Sequence, residues 1–435
     1  MADRRWSVEQ VLALAPDPAS GKAGRSQASA GKWPLLGASP EAVWGACQGS
    51  GKTPYQTVVE LSGPAFRCSC PSRKFPCKHA LGLLLLWAGG SVEETDTPES
   101  VRTWLGERAD RARQAEERTR TPVRRDPAAA AKRAEQRTDR VAGGVAELSV
   151  WLADQVRRGL SALERGGRTE LGGVAARMVD AQAPGPAGVL RRAARLVGRG
   201  KEWPARLLEE FALLHLLTEA FSRLASHPEP LADTVRARLG FVTETAEVRE
   251  NGERVADVWL VAGLVDDEGD QLVSRRVWLW GKHSGRYALV LSFAPPGRPL
   301  DFSLLPGSQV SATVAFYPGA LPLRALVLES GEPVPAPCPA GDSVEASLED
   351  YAAALASDPW LERWPVVLSD VVPARLGEGW GLSDVDGLAL PLAAETDPFP
   401  LLAVSGGAPL TVAAEWSAAG LRPLSCWDGE RPVLL

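Results

Sequence analysis

The sequence predicts an α+β protein of several domains: a ββα knuckle near the amino terminus, a central helical domain and a β-rich carboxyl-terminal half. Three observations predict it. A strand–turn–strand pattern at about residues 41–88 runs into a cluster of cysteines and a histidine at the start of an apolar helix. Apolar residues recur at helical spacing between about Ala146 and Gly240, and β-branched and aromatic residues alternate after Gly240. A chain of 435 residues exceeds one ordinary core, and its 45% hydrophobic and 23% charged residues are normal globular values.

In the amino-terminal region, residues 1–92, Ser7 to Ala15 is predicted to form a short helix. Ser7 is its cap and Gln10, three residues on, completes a capping box. A polar Gly/Ser/Ala loop is expected to run from there to about Gly31. Ala42 to Gln48 and Tyr55 to Leu61 alternate as strands on either side of GSGKTP, which predicts a hairpin. Residues 93–142 are dominated by Glu, Arg, Ala and Thr and read as a solvated helix or a disordered linker.

Three or four amphipathic helices are expected over 143–240, with APGPAG at 183–188 as a break. Residues 241–330 read as a β-rich domain, beginning with a hairpin around Asp267 to Asp270 and continuing through RYALVLSFA and QVSATVAFYPG. The Pro-rich stretch from Glu329 to Asp342 reads as a linker. An α+β domain, 343–435, then opens with the helix VEASLEDYAAALAS. No internal repeat recurs at a fixed period.

No apolar run approaches the roughly 18 residues a membrane span needs; LGLLLLWA, from Leu81 to Ala88, reads as a buried helix. The apolar stretch near the amino terminus is too short for a secretory core, so a cytoplasmic location is expected. In a reducing compartment, the six cysteines point to metal binding or free thiols rather than disulfides. The net charge of −6 is uneven: residues 1–140 hold 22 Lys and Arg against 16 Asp and Glu, so the first third is the anion-binding candidate. Arginine outnumbers lysine 40 to 8, a bias that a GC-rich coding sequence produces by itself.

Cys68, Cys70, Cys77 and His79 form a C-x-C-x6-C-x-H pattern within FRCSCPSRKFPCKHALGLLLLW. Three thiolates and one imidazole are a tetrahedral ligand set for one structural zinc ion, and four clustered ligands leave no open position for catalysis. Residues two apart at a strand end face one side, so Cys68 and Cys70 can share an ion, while Cys77 and His79 fall in the first turn of the following helix. Metal is expected to stand in for a core here, since few apolar residues lie nearby.

This hairpin, followed by CxC, a short loop and a CxH that opens a helix, resembles the SWIM zinc finger, in the form found in bacterial proteins without attached enzyme domains. The resemblance covers about residues 41–88 and implies zinc binding by Cys68, Cys70, Cys77 and His79. It associates the module with DNA binding or protein–protein contact and implies no activity for residues 93–435.

Arg67, Arg73, Lys74 and Lys78 surround the ligands, with no acidic residue between Phe66 and Ala80. They can grip phosphates, or serve only to offset the net negative charge of three thiolates around Zn2+. Phe66 and Phe75 can stack on bases or pack against the helix. The expected partners are therefore nucleic acid, with DNA favoured, and a protein; neither a membrane nor a small-molecule substrate is indicated.

Other signals are weaker. Ala-x4-Gly-Lys-Thr, ending at Gly51, Lys52 and Thr53, is a relaxed phosphate-loop pattern, but Pro54 and an alternating strand follow where such a loop requires a helix. Asp266 and Asp267 read as part of a hairpin rather than a magnesium-holding strand. His215 is expected in a helical core, and His227 and His283 in turns with no nearby cysteine or acid cluster. Cys47 can approach the zinc ligands but reads as a small buried residue, and Cys338 and Cys426 are isolated. Trp259, Trp278 and Trp280 can bind a peptide or build a sheet core. No catalytic residues are identified. The leading expectation is a non-enzymatic zinc protein that binds nucleic acid or a protein, the remainder acting as a scaffold. The alternatives are a pure adaptor for a larger complex, such as one containing an ATPase, and, remotely, a phosphate-loop enzyme.

Overall fold

A computed structural model describes residues 6, 8–16, 18–49, 51, 53–61, 65–72, 74, 76–120, 127–268, 272–295, 300 and 303–435. The predicted cap Ser7 and the candidate residues Lys52, Arg73 and Phe75 lie outside the described residues. The amino-terminal module runs α1 (Val8–Ala13), α2 (Pro18–Gln27), β1 (Leu35–Ala38), β2 (Ala42–Cys47), β3 (Tyr55–Glu60), β4 (Ala65–Cys68), α3 (Lys78–Ala88) and α4 (Glu99–Arg120). The predicted hairpin is β2–β3, with Cys47 opposite Tyr55, and β1 and β4 extend it to a four-stranded antiparallel sheet.

Alternation gives this sheet two buried faces. Val43, Val59 and Phe66 pack with Leu81 and Leu84 of α3, while Ala42, Trp44 and Val58 meet Val101 and Leu105 of α4. Two expectations are corrected here. The stretch expected to be a polar loop to Gly31 contains α2. A Cβ on Gly24 would lie 2.7 Å from Leu81 Cβ, and one on Gly82 would lie 2.6 Å from Gln27 Cβ. These glycines are the surface along which α2 and α3 approach, a use that outweighs their low helix propensity. Nor does metal stand in for a core, because α3 buries His79 through Trp87 within a large apolar cluster.

The charged segment after residue 93 is helical in α4 and in α5 (Pro127–Arg158), which passes residue 142 without a break. With α6 (Gly167–Asp180), α7 (Pro184–Leu196), α8 (Trp203–Ser222) and α9 (Glu229–Leu239), α5 forms a helical bundle. Its core holds Leu148, Leu152, Leu171, Met178, Leu190, Leu207 and Phe211. APGPAG ends one helix and starts the next, with Pro184 at the first position of α7, where a missing N–H costs nothing. His215 is exposed, not core as expected: α8 buries positions 203, 207, 211, 214, 217 and 218, and residue 215 lies off that stripe.

After α10 (Thr245–Asn251) come β5 (Arg254–Glu268), β6 (Val273–Gly281), β7 (Tyr287–Ala294), β8 (Ser308–Phe316), β9 (Arg324–Ser330) and β10 (Val334–Pro335). β5, β6 and β7 form a meander, β8 returns to the free side of β5, and β9 pairs antiparallel with β8 and parallel with β7. These pairings close a five-stranded barrel of order 1-2-3-5-4. Trp259 fills its interior. The remaining elements are α11 (Val344–Ser357), β11 (Trp364–Leu376), β12 (Gly379–Ser383), β13 (Ala389–Pro391), α12 (Phe399–Ser405), β14 (Leu410–Ser417), β15 (Gly420–Asp428) and β16 (Arg431–Leu434). β11, β12 and β13 again form a meander, β14 and β15 build on the other side of β11, and a parallel bridge from Leu392 to Leu421 brings the third strand to the fifth.

The same strand order thus occurs twice, each time with a long, bulged first strand shared between two half-sheets. The two barrels pack through Leu260, Val265 and Trp278 of the first and Val367, Ala413, Leu424 and Trp427 of the second. Ser425 Oγ donates to the Ala262 carbonyl at 2.6 Å across this junction. The Pro-rich stretch is a packed strap rather than a free linker: β10 pairs with β8, Ala336 N–H donates to Gly307 O, and Asp342 N–H donates to Val367 O.

Candidate metal centre

Each ligand stands where the local sequence puts it. Cys68 ends β4, Cys70 follows two residues later, Cys77 is the residue capping α3, and His79 lies in the first turn of that helix. Their ligand atoms all lie within 4.8 Å of one another, and Cys68 Sγ is 3.7 Å from His79 Nδ1. A tetrahedral zinc with bonds of about 2.3 Å to sulfur and 2.0 to 2.1 Å to nitrogen requires neighbouring ligands about 3.6 to 3.8 Å apart. The residues therefore fit the ion, which when bound would tie the loop after β4 to the start of α3.

The surroundings favour the ligand state of the thiols unevenly. A hydrogen bond from the Cys77 thiol, together with those from His79 and Thr57, outweighs burial and holds Cys68 as a thiolate, with a pKa of about 3. The same hydrogen bond to Cys68 pushes the Cys77 thiol up, and burial pushes Cys70 up. Metal binding must therefore displace protons from Cys70 and Cys77.

Two supporting residues escaped sequence reasoning. Thr57 is the cross-strand partner of Cys68 and places its Oγ1 3.2 Å from the Cys68 sulfur, in position to donate to the thiolate. Tyr55 lies against the His79 ring, with centroids 4.8 Å apart and planes 31° apart, fixing the imidazole's orientation. The signal for both was the alternation of β3, which sends Tyr55 and Thr57 to the same face of the sheet as Cys68. Such contacts hold metal ligands in place.

Beside the ligands lies a groove of about 860 Å³ between α2, the end of β2 and the loop before α3. Lys32, Lys74 and Lys78 line it together with Gln27, Gln48, Ser72, Cys70 and His79, and no acidic residue is among its described lining residues. Arg67 stands apart, because β4 alternation turns Cys68 toward α3 and Arg67 toward the other face. Phe66 is buried in the core rather than available for stacking. Cys47 is buried outside the ligand cluster, its thiol 3.8 Å from Gln27 Oε1.

Gly51 and Thr53 sit in the turn between β2 and β3, and a strand follows them. Asp266 pairs with Arg275 and Asp267 with Arg276 in the β5–β6 ladder. His283 lies in the β6–β7 turn, which folds back over β5 and puts its ring 2.7 Å from the single carboxylate of Asp257. Trp259 and Trp278 are core, and Trp280 packs at the barrel junction.

The chain matches the family model of the SWIM zinc finger over residues 59–88 and that of the SWIM-associated four-helix bundle domain over residues 136–239. No curated protein and no solved structure matches it. The finger model spans the strand, loop and helix that bring the four ligands together, and the bundle model spans most of α5 through α9. The chain thus carries a SWIM zinc finger together with the four-helix bundle domain associated with it.

Proposed function

We propose that this protein is a non-enzymatic, cytoplasmic nucleic-acid-binding protein, with DNA the favoured ligand, in which one structural zinc ion holds a basic surface in shape. The observation that carries this reading is the convergence of Lys32, Lys74 and Lys78 on one groove beside the ligands, with no carboxylate in its described lining. Such a surface supplies the salt-dependent, sequence-independent part of nucleic-acid binding. Four protein ligands complete a tetrahedral site, which supports a structural role for the ion rather than a catalytic one.

The bundle and the paired barrels then act as a scaffold. Beyond residue 140 the chain is acidic on balance, so phosphate is steered toward the amino-terminal module. The test is to titrate the purified, zinc-loaded full chain into fluorescently labelled DNA at two salt concentrations. Binding that weakens steeply with salt and disappears on chelation supports the reading; absence of binding at low salt sinks it. A second reading, a protein adaptor, is favoured by the exposed Leu208, Leu213 and Leu216 on α8. It predicts a co-purifying protein that survives nuclease treatment and is lost when those leucines are replaced by serine.

A further inference from the structure

Zinc fingers that read duplex DNA lay a helix in the major groove, with exposed side chains reaching the base edges. The helix of this finger cannot do so. From His79 through Trp87, α3 is buried, between the sheet on one side and α2 on the other. The basic surface is concave instead. α2 and the turn at Ala30–Lys32 form one wall, the loop before α3 forms another, and Gln48, Gly49 and Tyr55 lie between them.

Among the described lining residues, the cations of the groove are also of one kind. The chain has 40 arginines and 8 lysines, yet the three cations among the described lining residues are all lysines. Arginine's planar fork suits fixed, bidentate recognition of a phosphate or a base, whereas lysine is a point charge on a flexible stem. Three such charges in a recess suit a flexible phosphate backbone whose sequence is not read. Among the other polar lining groups, the side-chain amides of Gln27 and Gln48 carry two N–H donors each and can donate to phosphate or base without imposing negative charge.

We infer that the groove between α2 and the loop before α3 is a single-stranded nucleic-acid site, and that Lys32, Lys74 and Lys78 track the backbone of the strand. This inference rests on the nucleic-acid reading above and narrows it to one strand in one groove. Lys32 lies outside the residues matched by the finger model, so the site joins that motif to the elements before it.

The experiment uses the zinc-loaded full chain and measures fluorescence anisotropy with a labelled oligothymidylate, a duplex of equal length and a polyglutamate peptide. The single strand should bind at least about tenfold more tightly than the duplex, and polyglutamate should compete poorly. With three phosphates neutralised, affinity should fall about 20-fold between 50 and 200 mM salt. The triple variant K32Q/K74Q/K78Q should keep its zinc content and circular dichroism while losing most of this salt dependence, and Lys282→Gln, on an exposed barrel turn, should bind as the parent does. Preference for the duplex, equal binding of polyglutamate, or strand binding unchanged in the triple variant would overturn the groove assignment. Failure to bind either nucleic acid would overturn the nucleic-acid reading and this inference with it.

Discussion

The finger and the paired barrels bring distant parts of the chain together by different means. In the finger, strands of four to six residues meet a helix, and the chain between them is a short loop of mostly hydrophilic residues and prolines around four metal ligands. In the barrels, first strands of 15 and 13 residues each serve two half-sheets, and a shared apolar junction joins the two. A long strand can bury enough side chains to hold its own closure. The loop before α3 cannot, although the module beneath it has a large core. The metal's role is therefore local, fixing residues 68–79 over the edge of a core that other residues build.

The largest test of this difference removes the metal. Chelation, or Cys77→Ala, should abolish zinc binding and strip hydrogen-exchange protection from β4 and the first turns of α3, while leaving β5 to β15 unchanged. Peptide fingers that depend wholly on zinc draw on the order of 10 kcal/mol from it. Here the loss should be smaller, because Val43, Val59, Phe66 and Leu84 remain packed. Exchange mass spectrometry separates the outcomes. Complete exchange through β2, β3 and all of α3 would mean that the module has no core independent of the metal.

The second test attacks the junction between barrels. Glu415 is 3% exposed at its side chain, accepts from Arg276 Nε at 3.1 Å and from Trp278 Nε1 at 2.7 Å, and so links β14 to β6. Glu415→Ala leaves Arg276 buried beside Asp267 alone and should cost about 3 to 5 kcal/mol. Glu415→Gln, which keeps an acceptor, should cost less. The shift in denaturant midpoint should coincide with faster exchange in β6 and β14, and zinc content should stay unchanged. A cost for Glu415→Ala under about 1 kcal/mol would show that the apolar junction alone holds the barrels together.

What could be foreseen from the sequence follows the range of the interactions. The four ligands lie within twelve residues, so their spacing alone predicted a metal site whose atoms then fell within one coordination sphere. The lysine groove was only half visible: Lys74 and Lys78 belong to the motif, whereas Lys32 arrives from across the sheet. α2 was hidden because Gly21 and Gly24 look like loop residues until the partner helix is known. The barrel order depends on parallel contacts between Leu289 and Arg324 and between Leu392 and Leu421, which no local pattern encodes. Alternation after Gly240 announced strands but not their closure. His215 misled because three leucines near it face outward.

Acid separates the two regions with the smallest expected effect per residue. Asp257 lies at the base of the first barrel's β6–β7 turn and accepts backbone N–H bonds from Val258, His283 and Ser284. Burial raises its pKa, but hydrogen bonds from Ser284 and His283 outweigh burial and hold it at about 2, below the ordinary value of 3.8. A carboxyl lowered on folding stabilises the native state above its unfolded pKa, and that contribution disappears as pH falls through about 2. The finger fails at higher pH, because protons returning to Cys70 and Cys77, both pushed up without metal, compete directly with zinc. Lowering the pH should therefore release zinc first, read with a metal indicator, while exchange protection in β5 to β8 persists until strongly acidic conditions. Asp257→Asn should cost about 1.5 to 3 kcal/mol near neutral pH, the worth of hydrogen bonds to a charged acceptor. It should also flatten the barrel's acid limb without moving the zinc-release midpoint. If the variant shifts both transitions together, the finger and the barrels unfold as one cooperative unit, and the local role assigned to the metal is wrong.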